Sequence, residues 1–332
     1  MNTFGRILRI SLFGESHGGA VGCTLDGVPP GISLSEADLL PDLQRRKSGK
    51  VGTTPRQEPD QPRIVTGVFQ GHSTGAPLTI LFENTNTRSR DYRQFVDSPR
   101  PGHADFVAQQ KYGGFQDYTG GGHFSGRVTL GVVAAGAIAK KIIAPAVISS
   151  AVLEIGGQQD YEAVLAAAVA AHDSLGGIIQ IRVDGLPVGL GEPFFDAVEA
   201  RLAHAVFAVP ATRGIEFGTG FPAARMKGSE HNDPIIDERG TTATNHAGGI
   251  NGGITNGNPV VFRVAVKPTS SIGRPQRTMN FAKGTVEEML IEGRHDSCIA
   301  LRIPPVLEAV TALVLADFKL VAQATAPAPQ GS

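Results

Sequence analysis

Tryptophan is absent from this 332-residue chain, and cysteine is nearly so. Cys23 and Cys298 stand far apart in no CxxC spacing, which argues against a disulfide framework and a zinc site. Net charge is scarce as well: 30 Lys and Arg face 31 Asp and Glu, a formal balance of −1. A chain so balanced exerts no bulk pull on nucleic acid or an anionic membrane, so neither is an expected partner. Arg6 and Arg9 have no long apolar run behind them. Neither a signal peptide nor a membrane span is therefore predicted, and the expected location is the cytoplasm. Familiar catalytic signatures are missing too: no G-x-S-x-G elbow, no Walker lysine, no H-E-x-x-H pair, no dinucleotide fingerprint after the first predicted strand. No repeat or linker divides the chain, so residues 1–321 are read as one domain and 322–332 as a disordered tail.

What is abundant is glycine, 42 residues, well above the usual share of roughly 7%. The glycines fall in single-copy patches, as tight turns or a close backbone approach to a ligand would require. The densest patch lies between Arg100 and Ile143. It runs from Arg100-Pro101-Gly102-His103-Ala104-Asp105 to Gly120-Gly121-Gly122-His123-Phe124-Ser125-Gly126-Arg127. The apolar run Val128–Ile143, with Lys140-Lys141 in its last turn and Pro145 beyond, predicts a buried helix. Ser125 suits its N-cap. Free N–H groups, the positive helix end and Arg127 would then form an anion site, although a plain turn into a core helix accounts for the same glycines.

Elsewhere Arg6–Phe13 and Val21–Leu25 read as paired strands, with His17 on the glycine-flanked turn between them. That imidazole either faces a cleft or ties the turn together. Ser35–Leu43 is a short helix capped by Ser33 or Ser35. Between 45 and 63 six cations (Arg45, Arg46, Lys47, Lys50, Arg56, Arg63) face only Glu58 and Asp60. Such a run is a solvated loop or a clamp for a polyanionic substrate. Further strands are predicted within 64–83 and at Ala146–Ile155, Ile178–Val183, Ile215–Gly218 and Val260–Val266. Helices are predicted at Tyr161–His172, Phe194–Phe207 and Val306–Val321. Residues 227–258 form a long polar loop, which is either functional or disordered. Lys267-Pro268-Thr269-Ser270-Ser271 at a strand end is a phosphate grip or an ordinary turn.

The candidate acids and bases are His17, His103, His123 and Asp296, and the candidate anion grips are Arg46, Arg127, Lys267 and Arg294. Imidazoles beside a carboxylate suit acid–base work, and arginines suit carboxylates and phosphate. Residue chemistry alone stops at an enzyme acting on a small polyanion, with no metal.

Five segments in order resemble the chorismate synthase family. They are Gly14-Glu15-Ser16-His17-Gly18 with Asp26-Gly27-Val28-Pro29; Arg100 to Asp105; Ser125-Gly126-Arg127; Lys267 to Ile272; and Arg294-His295-Asp296-Ser297-Cys298. The resemblance covers nearly the whole chain, about residues 4 to 321. It implies an α+β fold, a β-α-β sandwich with long helices between two antiparallel sheets, assembled as a homotetramer. The four long predicted helices would be its filling. It also implies the anti 1,4-elimination of phosphate from 5-enolpyruvylshikimate 3-phosphate to give chorismate, the last common step of the shikimate pathway. That reaction needs reduced FMN without net redox change: the flavin lends electron density to an allylic C–O bond, and its N5 takes up the ring hydrogen. NADPH is the reductant in members that reduce their own flavin, so an NADPH-dependent flavin reductase is the alternative.

Carried over by motif, His17 and His103 are proton donors near flavin and substrate, and Asp296 with Ser16 and Ser125 forms a proton relay. FMN contacts fall on His123, Phe124, Ser125, Pro210, Ala211, Gly252, Lys267, Pro268, Thr269, Ser270, Ser271 and Arg294. Arg46, Lys50 and Arg127 fall to NADP or the anionic substrate. The chain departs from the family at His123-Phe124-Ser125-Gly126, where many members have Arg-Ser-Ser-Ala, losing one cation and one hydroxyl. Lys50 replaces an arginine found in other members, and Ser297 a common proline.

Overall fold

Period-two alternation of apolar side chains builds two antiparallel sheets. The computed structural model describes residues 1–49, 51–54, 59–85, 92–293 and 295–325. The first sheet holds β1 (Thr3–Phe4), β2 (Arg9–Gly14), β3 (Ala20–Asp26), β4 (Arg63–Thr66) and β5 (Leu78–Glu83), in the order β1-β2-β3-β5-β4. Ile10, Leu25 and Leu78 lie opposite one another across its register, as do Cys23 with Ile80 and Val21 with Phe82. All seven are buried. The second sheet holds β6 (Val147–Ile155), β7 (Gly177–Asp184), β8 (Thr212–Phe217) and β9 (Val260–Val266), in the order β8-β9-β7-β6. Val183, Ile181 and Ile179 oppose Val260, Phe262 and Val264, again all buried.

The longer helices are α1 (Leu40–Arg46), α2 (Asp105–Tyr112), α3 (Thr129–Ile143), α4 (Glu162–Ala170), α5 (Val198–Phe207) and α6 (Pro304–Ala324). Between the sheets run α3 and α6, apolar on nearly every face, as a helix packed on all sides must be. They touch almost backbone to backbone, because a Cβ on Gly136 would lie 2.3 Å from the Cβ of Ala309. One cluster of buried apolar side chains extends from Leu8 to Phe318, and a smaller one joins Phe95, Met289 and Ile291. The expected α+β sandwich is therefore observed.

Several expectations need correction. Helix α4 is not filling: only Leu165 and Ala168 are buried, and His172 leaves the helix at φ 54°. The expected helix Phe194–Phe207 is broken, since Phe194 takes φ 65° and Ala197 is extended, so α5 begins at Val198. Strand β2 starts at Arg9 rather than Arg6, because the N–H groups of Arg6, Ile7 and Leu8 donate to the buried Asp317 carboxylate. Helix α6 runs to Ala324, three residues into the expected tail; residues 326–332 lie outside the described residues. The polar stretch 227–258 is ordered around Asp233, which accepts from His246 N, Ala247 N and Thr244 Oγ1. Sequence reading missed helix α2 and the hairpin Gln276–Asn280/Thr285–Met289, whose polar, half-exposed residues carry little periodicity.

Candidate active site

The site begins where the glycine turn meets the turn after β2. Gly120, Gly121 and Gly122 take φ of 59°, 80° and 52°, a left-handed run that side chains resist. The chain thereby folds back so that Ser16 N donates to Gly122 O at 3.1 Å. A Cβ on Gly120 would lie 2.4 Å from the His17 ring, so the two turns press together. His123 Nδ1 is 2.8 Å from Gly14 O and Nε2 is 3.1 Å from Asn2 Oδ1, which ties the turn to β1 and β2. Ser125 Oγ accepts from Arg127 N at 3.3 Å, capping a short turn that leads into α3 rather than α3 itself.

Ahead of that turn, Asp105 lies 2.7 Å from His103 Nδ1, and Arg100 grips the same carboxylate through Nε at 2.7 Å and Nη2 at 2.8 Å. Burial works to raise the Asp105 pKa, but hydrogen bonds from Arg100 and His103 hold it far below the usual carboxylate range. A fixed carboxylate at Nδ1 leaves Nε2 of His103 for other chemistry. Arg100 Nη1 also donates to Ser271 Oγ at 3.2 Å, and Lys267 Nζ donates to Ser270 Oγ at 2.6 Å. Burial, then the charge of Arg213, pushes the Lys267 pKa down.

Two adjoining cavities open here. The smaller, about 430 Å³, carries Arg46, Lys47, Arg100, Arg127 and Arg302 against Asp60 and Asp296 among its described lining residues, so positive charge is in surplus. Arg46 is buried, donating to Gly126 O at 2.7 Å and to Thr129 Oγ1 at 3.0 Å. Burial and the neighbouring charge of Arg302 pull its pKa down to about 9. Arg127 donates to Asn84 Oδ1 at 2.5 Å and to Asp60 at 2.9 Å. The larger cavity, about 720 Å³, has apolar walls from Val128, Val132, Val310 and Leu313. His103, His123, Phe124 and Lys267 to Ser271 line it too, with Pro210 and Ala211. Gly120, Ser125, Pro210, His295 and Asp296 belong to both linings, so they form the common wall.

Most of the expected site residues thus come together. Ser16 lines the smaller cavity, while His17 lies behind Gly120 and Ser16, edge-on to Tyr92, and lines neither. Gly252 is at the tip of the hairpin Ile250–Asn251/Ile254–Thr255 and lines neither cavity of this chain, so its expected place in the site is not found within one chain. Lys50 and Arg294 lie outside the described residues. The expected basic clamp is divided. Arg46 and Lys47 face the cavity, whereas Arg45, half exposed, turns to Glu308. Arg302, Asp60, Arg213 and His295 escaped sequence reading as site residues. Of these, His295 carried a usable signal, standing beside Asp296 in a quoted segment. Among the described residues no His, Cys, Asp and Glu cluster could hold a metal, and no helix is long and apolar enough to cross a membrane.

The family model for chorismate synthase matches residues 8–320. A chorismate synthase from Chitinophaga pinensis is 64% identical, covering 97% of this chain and 98% of its own. Others from Sphingopyxis alaskensis and Pyrococcus abyssi are 44% and 43% identical over 97% and 95% of this chain, and 98% and 97% of theirs. A solved chorismate synthase structure superposes with a TM-score of 0.72 at 26% identity, covering 96% of this chain and 93% of its own.

Proposed function

The chain belongs to the chorismate synthase family, and on that premise we propose how its two cavities divide the work. The activity is that of a carbon–oxygen lyase of the shikimate pathway, releasing phosphate from 5-enolpyruvylshikimate 3-phosphate to form chorismate. The family implies a reduced flavin. The observation that carries the division is the contrast in lining: surplus cations in the smaller cavity, apolar walls with a polar end in the larger.

The larger cavity fits FMN. Its size lies in the range of ligand sites, and its polar end offers Lys267, Ser270 and Ser271 for a phosphate. Among the described residues Thr269 Oγ1 there is buried with no hydrogen-bond partner, a donor that a bound phosphate would satisfy. His123 has both ring nitrogens engaged by Gly14 and Asn2, so Phe124 is left to meet the ring system. Bound reduced flavin would supply transient electron density for the breaking allylic C–O bond. In the smaller cavity, Arg46, Lys47 and Arg127 hold the substrate's phosphate and carboxylates and neutralise the leaving charge. His103, oriented by Asp105, holds a proton at Nε2 on the side of the larger cavity. Asp296 and Ser125 in the shared wall move protons together with Ser16 of the smaller cavity, and His17 acts from behind Gly120.

We take residues 1–321 as one domain, supported by the continuous core cluster from Leu8 to Phe318. A homotetramer is supported by exposed Val188, Phe194 and Phe195 beside the Gly252 hairpin, a face that would bring Gly252 to a neighbouring subunit. The proposed location is the cytoplasm. The test is phosphate release from substrate with dithionite-reduced FMN against an oxidised-FMN control. Release in neither mixture refutes the reading, and NADPH consumption without phosphate would mark a flavin reductase instead.

A further inference from the structure

Asp296 stands in the wall between the two cavities, and the side chain that holds it there lies outside every motif quoted above. Arg302 Nη1 donates to both oxygens of Asp296, at 3.1 and 2.9 Å. Arg302 Nε donates to the carbonyl of Arg46 at 3.1 Å. Thr54 N supplies another donor to the carboxylate, at 2.9 Å. The two side chains are 20% and 14% exposed, so the pair is largely shielded from water and from screening by salt. The Arg302 backbone is itself fixed, lying between the turn Ile299–Leu301 and the Pro304-Pro305 start of α6. Arg46, His295 and Cys298 also feel the Asp296 charge.

We propose that Arg302 is the positioning residue of Asp296, fixing the carboxylate at the junction of the cavities and tying it to the backbone of Arg46. This rests on the reading of Asp296 as part of the proton relay. A carboxylate that exchanges protons with bound ligands must keep its lone pairs aimed, and a planar guanidinium fixes direction where an ammonium supplies only charge. Arg302 commits Nε and Nη1 to acceptors within the chain, which is the pattern of a brace more than of a ligand grip. Without it, Thr54 N cannot stop the carboxylate from rotating.

The test is steady-state phosphate release with reduced flavin in Arg302→Gln, Arg302→Lys, Asp296→Asn and the double variant D296N/R302Q. Thermal unfolding is followed on the same samples. Arg302→Gln should lower kcat roughly 10- to 100-fold while KM stays within about threefold, because a misplaced group costs rate without costing binding. The double variant should be no slower than Asp296→Asn, and Arg302→Lys should recover only part of the loss. Additive losses in the double variant, or a raised KM with unchanged kcat, would make Arg302 a ligand grip and overturn the proposal. Wild-type kcat in Arg302→Gln would do the same. Should Arg302→Gln fail to fold, Arg302→Lys and D296N/R302K decide by the same additivity. Wild-type kcat in Asp296→Asn, with Arg302 intact, would instead remove Asp296 from the relay and this inference with it.

Discussion

Glu308 and Asp296 each anchor an ion-pair cluster in the C-terminal part of the chain, and the two clusters are built on opposite principles. Glu308, 1% exposed near the start of α6, accepts from Arg45 at 2.5 and 2.8 Å, Lys140 at 2.8 Å and Ser150 at 2.5 Å. Asp42 completes that cluster by pairing with Arg45 and Lys140, so two cations meet two carboxylates and the charge closes. The smaller cavity does not close. Among its described lining residues five cations face Asp60 and Asp296, and counting Asp105 as the partner of Arg100 still leaves a surplus. A closed cluster fastens elements together; an open one is arranged to receive an anion. Adjacent residues of α1 serve the two separately, Arg45 the closed cluster and Arg46 the open one.

The sharpest way to break this contrast is Glu308→Ala. It removes the buried acceptor shared by Arg45, Lys140 and Ser150, and since a hydrogen bond to a charged group is worth about 1.5–3 kcal/mol, a loss of about 3 kcal/mol is expected. Urea unfolding should show a lower midpoint; an unchanged midpoint would mean that the cluster fastens nothing. On the open side, His103→Ala should keep the fold and flavin affinity and slow phosphate release at least roughly 10²-fold, about 2.7 kcal/mol of barrier. A variant as fast as the wild type would take His103 out of the chemistry. Arg46→Ala should weaken substrate binding about tenfold, as one charge-assisted contact is removed, and titration calorimetry would read it directly. Equal affinity would show that the surplus charge has another purpose.

A further effect is an acid one. Burial works against the charge of Glu308, yet hydrogen bonds from Arg45 and Lys140 bring its pKa from 4.5 down to about 2. A pKa lowered in the folded state adds stability that is full above the unfolded value and fades as pH falls from 4.5 toward 2. Glu308→Gln should therefore lose less stability than the wild type over that descent. Parallel descents in unfolding free energy would contradict the assignment.

The framework of the fold was legible along the chain because it depends on short-range pattern. Alternation marked Val21–Leu25 and Val260–Val266, and an unbroken apolar run marked α3. Helix α4 was misjudged for a related reason. An alanine-rich segment is apolar by count but buries so little surface per residue that it can lie outside the core. Site residues carried in motifs, such as His103, Ser125 and Lys267, were legible too, because glycine turns and strand ends announce themselves locally.

The amino-acid order by itself marked most of the strands, the helices α3 and α6, and the family that the chain resembles. Those follow from side-chain period and backbone preference within a few positions. Only tertiary packing decided that Arg45 meets Glu308, 263 residues away, that Arg46 looks instead into the cavity, and that Arg302 braces Asp296. Partners of a buried charge are chosen by how helices seat against one another, and nothing in the spacing of a cation records which carboxylate will be beside it once water has been excluded.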